Sequence, residues 1–144
     1  MNDSKDSPQT DFVRYILAGN PNTPVSVLAQ LADDQSERVR SHVAENRRTP
    51  IEALVLLATD NSAEVRESVA YNSNTPLEVL ESLAHDTSID LRYRMASASY
   101  TPTYLLNWLS ADENPYVADR AKKTLHRLVD SNGSDAGRLQ FRVA

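Results

Sequence analysis

Apolar positions along the chain recur with a spacing of 26 residues. Leu28, Leu54, Leu80 and Leu106 form one column, and Leu31, Leu57, Leu83 and Leu109 form the next. One position further on stand Ala32, Ala58 and Ala84, with Ser110 in the last copy. Leucines three apart share one face of a helix, so each copy predicts a first helix with one apolar stripe. Small residues beside the stripe mark where helices approach closely. A second stripe follows in each copy: Val39, Val65, Leu91 and Val117, then Val43, Val69, Met95 and Ala121 one turn later. It predicts a second helix. A fixed period of this length is the mark of a stacked array, in which neighbouring units bury what one unit alone could not.

Polar residues punctuate the stripes at the same period. Thr-Pro opens each unit, at Thr23-Pro24, Thr49-Pro50, Thr75-Pro76 and Thr101-Pro102. Threonine suits an N-cap and proline the first helical position, where its missing N–H costs nothing. Glu52 and Glu78, three residues after the threonine, would complete capping boxes. Asp34, Asp60, Asp86 and Asp112 end the first helix, and Ser36, Ser62, Ser88 and Asn114 are N-caps for the second. Asn20, Asn46 and Asn72 close the second helix where the chain reverses, a place suited to asparagine's tolerance of the left-handed conformation. Ala98 interrupts that column.

The ends depart from the unit. Residues 1–10 are polar and read as a disordered leader. Asp11 to Asn20 match a second helix without its first, so the array opens on a half repeat, and four full units follow. The last second helix continues towards Asp130 with Lys122, Lys123, His126 and Arg127, as a polar capping helix. Residues 131–144 read as a tail whose Leu139, Phe141 and Val143 alternate, either loose or docked on the last repeat.

The pattern Asn-x-x-x-Thr-Pro-x-x-x-Leu-x-x-Leu-Ala-x-Asp, followed by Val-Arg-x-x-Val-Ala, resembles the leucine-rich repeat variant (LRV) family. More distantly it resembles HEAT and armadillo solenoids. The resemblance covers residues 11–130 and implies an all-α, right-handed helical-repeat solenoid with no sheet. It also implies a binding surface rather than a reaction. Some members have a 3₁₀ second helix, and the period here leaves room for two short α-helices. An N-terminal cysteine-ligated iron–sulfur cluster, known in one member, does not carry over, because this chain has no cysteine.

Composition narrows the chemistry further. With 144 residues, 40% hydrophobic and 24% charged, the chain is long and apolar enough for one folded domain. Absence of cysteine excludes disulfides, thiolate metal sites and cysteine nucleophiles. The polar N-terminus lacks the apolar segment of a signal peptide, and no apolar run has bilayer-spanning length, so the expectation is a cytoplasmic protein. His42, His85 and His126 fall at unrelated repeat positions, which argues against a planned metal set. The three glycines, Gly19, Gly133 and Gly137, form no phosphate-cradling loop. No cofactor and no enzymatic activity is expected.

Arg14, Arg40, Arg66 and Arg92 form a column beside the aspartates. A phosphate site is one reading; a ladder of Arg–Asp pairs joining repeats is preferred, since a half-buried guanidinium needs carboxylate or carbonyl partners. Arg120, Lys122, Lys123 and Arg127, with Arg47-Arg48, are the best case for nucleic acid. Against it stand a net charge of −5 and Glu64, Glu67, Asp90 and Asp119 on the same helices.

Function is sought where the copies differ. Outward columns of the second helix read Arg38, Glu64, Asp90, Tyr116; Ser41, Glu67, Tyr93, Asp119; and Glu45, Tyr71, Ser97, Lys123. Tyr71, Tyr93 and Tyr116 step back about one turn per unit, flanked by acids and Arg94, in the manner of interface anchors. Scattered surface tyrosines are the plainer reading. Tyr104 and Trp108 share a face of the last first helix, to be covered by the tail or used in self-association. The sequence thus predicts a protein-binding scaffold, monomeric or weakly dimeric. Backbone-directed nucleic-acid binding is the alternative.

Overall fold

In the computed structural model, residues 8–139 are described, with their side chains as far as Ser131. All regular elements among them are α-helices. Two compact units divide the chain, the first ending at Leu83 and the second beginning at Ala84.

The first unit contains α1 (Pro8–Gly19), α2 (Val25–Leu31), α3 (Glu37–Glu45), α4 (Ile51–Leu57), α5 (Ala63–Tyr71) and α6 (Leu77–Leu83). Short first helices, α2, α4 and α6, alternate with nine-residue second helices, α3 and α5. The second helices are α rather than 3₁₀. The apolar columns are inside: Leu28, Leu54, Val39, Val43, Val65 and Val69 are fully buried. Leu80 departs from its column and is half-buried. Each fully buried leucine or valine contributes about 1.5–3 kcal/mol over its exposed state. Close approach of α3 and α5 is made by small residues, and Ser41 Oγ meets Ser68 Oγ at 2.9 Å in the buried seam.

The second unit contains α7 (Ile89–Ser97), α8 (Thr103–Leu109) and α9 (Pro115–Leu139). Its core is Leu91, Met95, Leu105, Leu106, Leu109, Val117 and Ala121.

Two boundaries differ from expectation. Helix α1 starts at Pro8, so residues 8–10 are its first turn rather than leader; residues 1–7 lie outside the described region. Proline is welcome there because a first-turn N–H has no helical acceptor. Helix α9 does not stop near Asp130 but runs to Leu139, through Asn132, Gly133 and Gly137. Weak helix formers in a row lower propensity without ending a helix that is already nucleated. Phe141 and Val143 lie outside the described residues.

The recurring polar residues do different work from that expected. Each Thr-Pro threonine is buried and donates its hydroxyl backwards, to a carbonyl six residues earlier in the preceding helix. Thr23 reaches Leu17 O at 2.6 Å and Thr101 reaches Met95 O at 2.7 Å. The cap position falls to Pro24, Pro50 and Pro102, which supply no side-chain cap. The asparagines are not left-handed either: Asn46 (φ −70°, ψ 122°) and Asn72 (φ −73°, ψ 125°) are extended. Their amides bridge successive repeats instead. Asn72 Nδ2 donates to Ala44 O at 2.7 Å and Asn46 O at 3.0 Å, and Asn46 Nδ2 donates to Ala18 O and Asn20 O. In both, Oδ1 accepts a backbone N–H two residues ahead and shapes the turn. Helix-end carbonyls need partners, and here the next unit provides them.

The serine and asparagine N-caps of the second helix hold where a cap bond forms: Ser62 Oγ accepts from Val65 N, Ser88 Oγ from Leu91 N and Asn114 Oδ1 from Tyr116 N. Ser36 occupies the same place without a side-chain cap bond.

Candidate interaction surface

The arginine column is structural. Arg40 Nε lies 2.7 Å from Asp60 Oδ2 while its Nη1 donates to Asp34 O, so one guanidinium ties the loop before its own helix to the loop of the next repeat. Arg92 repeats the arrangement with Asp112 Oδ2 at 2.8 Å and Asp86 O at 2.7 Å. Arg14 pairs with Asp34 at 2.7 Å. Each aspartate also accepts the N–H two residues on, at 2.8–2.9 Å. Burial opposes the charge on Asp60, yet hydrogen bonds from Arg40 and the Ser62 N–H outweigh it and hold the carboxyl below the usual range. Asp112 is depressed in the same way by Arg92 and the Asn114 N–H. Hydrogen bonding to Asp60 and Asp112 raises Arg40 and Arg92 correspondingly. These pairs hold the frame.

What the frame presents is the outward side of the second helices. In the first unit Glu64 and Tyr71 are exposed on α5 and Glu67 is half-buried, all opposite the sealed Val65 and Val69. In the second unit Asp90, Tyr93 and Arg94 are exposed on α7, opposite Leu91 and Met95. Tyr116, 77% exposed, stands in the first turn of α9. Around Tyr93 the surface is organised: the Arg120 guanidinium lies over its ring, 5.9 Å from the centroid, while Arg120 Nε donates to Ser97 Oγ at 2.9 Å. Arg127 Nη2 reaches Ser97 O at 3.3 Å, and Lys123 pairs with Asp119 at 2.7 Å. A guanidinium held over an aromatic ring sets a cation beside an apolar face, an amphipathic contact surface.

Tyr104 and Trp108 share the outer face of α8, about half exposed, with Leu105, Leu106 and Leu109 beneath. The His85 imidazole tilts against the Trp108 indole at 3.9 Å. A histidine thus lies on the tryptophan expected to meet the tail.

One cluster escaped the sequence reading. Phe12 and Tyr15 on α1 stack at 6.5 Å, the His42 ring meets Tyr15 at 4.0 Å, and the Arg38 guanidinium sits 5.2 Å above Tyr15. Gly19 makes room for it, since a Cβ there would lie 2.9 Å from His42 Nδ1. The signal was available: one period before Arg38 and Ser41 stand Phe12 and Tyr15, in the columns that hold Tyr116 and Tyr93, although Ser41 itself, expected outward, is buried against Ser68.

Among the described residues no group of histidine, aspartate and glutamate could hold a metal, and no helix is long and apolar enough to cross a membrane.

Paired short helices on a fixed period, tied by repeated side-chain to backbone bonds, define an all-α helical-repeat protein. Residues 63–88 match the family described as leucine rich repeat variant, over one full period from the start of α5 to the N-cap of α7. The match is to a helical-repeat family, in keeping with the all-α repeat architecture. No curated protein and no solved structure matches the chain.

Proposed function

We propose that the protein is a non-enzymatic scaffold that binds another protein through the outward face of its second helices. Glu64, Glu67 and Tyr71 carry recognition in the first unit, and Asp90, Tyr93, Arg94 and Tyr116 in the second. The observation that supports this most is the contrast within single helices. On α7, Leu91 and Met95 are sealed and Arg92 is locked to Asp112, while Tyr93 on the opposite side is 40% exposed with the Arg120 guanidinium 5.9 Å from its ring centroid. Rigid tyrosines offer large contact area at low entropic cost, and a pre-ordered surface loses little freedom on binding. Nothing favours nucleic acid over this reading: Arg120 and Lys123 are engaged by Ser97, Tyr93 and Asp119. The test is affinity capture from a lysate of the source cells, comparing the native chain with a Tyr71→Ala, Tyr93→Ala, Tyr116→Ala variant. Loss of the captured partner in the variant supports the assignment. Equal capture by both places the binding surface elsewhere.

A further inference from the structure

We infer that the second unit takes an acidic peptide segment, whose carboxylates bind Arg120 and Arg127 and whose neighbouring apolar side chain covers Tyr93. This rests on the binding face proposed above and names the chemistry of its partner there. Ser97, the last residue of α7, gathers the two arginines of α9. Its hydroxyl donates to Tyr93 O at 2.9 Å, which turns its lone pairs to Arg120 Nε, also at 2.9 Å. Its carbonyl accepts from Arg127 Nη2 at 3.3 Å. Both guanidinium groups are thus held at one residue, and neither is neutralised by it.

A hydroxyl and a carbonyl are uncharged acceptors, and no carboxylate pairs with Arg120 or Arg127 among the described residues. The Nη groups of Arg120 have no acceptor there either. Arg92 on α7 shows the opposite case, with Nε and Nη2 both donating to the Asp112 carboxylate. Acids close to the pair are placed elsewhere. Asp119 is held by Lys123 at 2.7 Å, Asp130 stands 3.9 Å from His126, and Asp90 lies in the first turn of α7, away from Ser97. A carboxylate matches the planar donor fork of an arginine, and the Tyr93 ring beside Arg120 offers apolar surface. The complement is an acidic side chain next to an apolar one in the same segment. Charge is also divided along the chain. Residues 84–144 hold eight lysines and arginines against seven acids, whereas residues 1–83 hold seven against thirteen. A short acidic segment therefore meets its least repulsion on the second unit, while a long polyanion would meet the surplus of acids as well.

The probe is a short capped peptide in which glutamates flank phenylalanine and leucine, EEFEELEE, titrated into the full chain. Saturable changes are expected at the Arg120 and Arg127 Nε–H resonances and at the Tyr93 and Ser97 amides. Arg127→Gln, at an exposed position, should weaken binding about ten-fold with an unchanged melting curve. Lys122→Gln removes the same charge from the other side of α9 and should leave the affinity as it is. Equal weakening by both overturns the site in favour of general charge attraction. Ser97→Ala keeps every charge and should weaken the peptide by releasing Arg120; undiminished binding overturns the role of Ser97 in assembling the site. Absence of saturation at about 1 mM, or shift changes elsewhere on the native chain, overturns the acidic segment whatever the variants do. Duplex DNA that displaces the peptide at equal charge concentration overturns it in favour of nucleic acid. These failures are distinct from failure of the binding face itself. A partner lost from the Tyr71→Ala, Tyr93→Ala, Tyr116→Ala variant, with no peptide binding to the native chain, keeps the face and strikes only its acidic ligand.

Discussion

Arg92 Nε lies 2.8 Å from Asp112 Oδ2, and Arg92 as a whole residue is only 7% exposed. The pair spans twenty residues of sequence and fastens the loop before α9 to α7. Replacing Arg92 with Met leaves a nearly buried carboxylate without its cation. Removing one partner of such a pair costs about 3 kcal/mol, more than the pair is worth against a well-packed apolar substitute. Urea unfolding of Arg92→Met should show that loss, and the double variant with Asp112→Asn should recover part of it.

Asn72 tests the bridge between successive repeats. Its amide donates to two buried carbonyls, Ala44 O and Asn46 O. Asn72→Ala leaves both acceptors unsatisfied and should destabilise by about 2 kcal/mol. Replacing Asn72 with Gly, which would be harmless if a left-handed residue were required, should cost at least as much. Thermal melts of the two variants distinguish the roles.

Acid should loosen the frame through the same aspartates. Asp60 and Asp112 titrate below the ordinary aspartate value in the folded chain. Their contribution is therefore present above about pH 4 and is lost as pH falls through the depressed folded values. The melting temperature should stay level from neutral pH to about pH 5 and fall below about pH 4, less steeply in a variant carrying Asp60→Asn and Asp112→Asn.

Trp108 is the single tryptophan and therefore a clean reporter. Its indole is partly covered by the exposed His85 ring. His85→Ala should shift its fluorescence to longer wavelength by exposing the ring to water. Stability should change by no more than about 0.5 kcal/mol, as for other surface sites. An unshifted spectrum would mean that the two rings do not stay in contact in solution.

The columns Leu28 to Leu106 and Val39 to Val117 were legible because burial follows periodicity and needs no knowledge of partners. The Arg–Asp ladder was legible for a related reason, that two opposite charges recurring at one period must be satisfied together. Thr49 and Asn46 were misread because residue type fixes which bonds a side chain can make, not in which direction it makes them. A threonine before proline has two routes for its hydroxyl, and only the close approach of the preceding helix selects the carbonyl of Val43. Phe12 and Tyr15 lie in the leading half repeat, ahead of the first full copy from which the outward columns start. The assignments of Tyr71, Tyr93 and Tyr116 rest on exposure and chemistry, and the capture experiment decides them.

The asparagine amide has a consequence for how such a chain changes over time. Asn46 and Asn72 each reach back 26 and 28 residues to find their acceptors. Inserting or deleting one residue between an amide and its acceptors breaks the rung that spans the change. Duplicating or removing one whole period leaves each amide facing an equivalent carbonyl. The array is thus divisible in its gene as it is in its fold: it lengthens or shortens by whole modules, and the outward columns of each module are free to diverge independently.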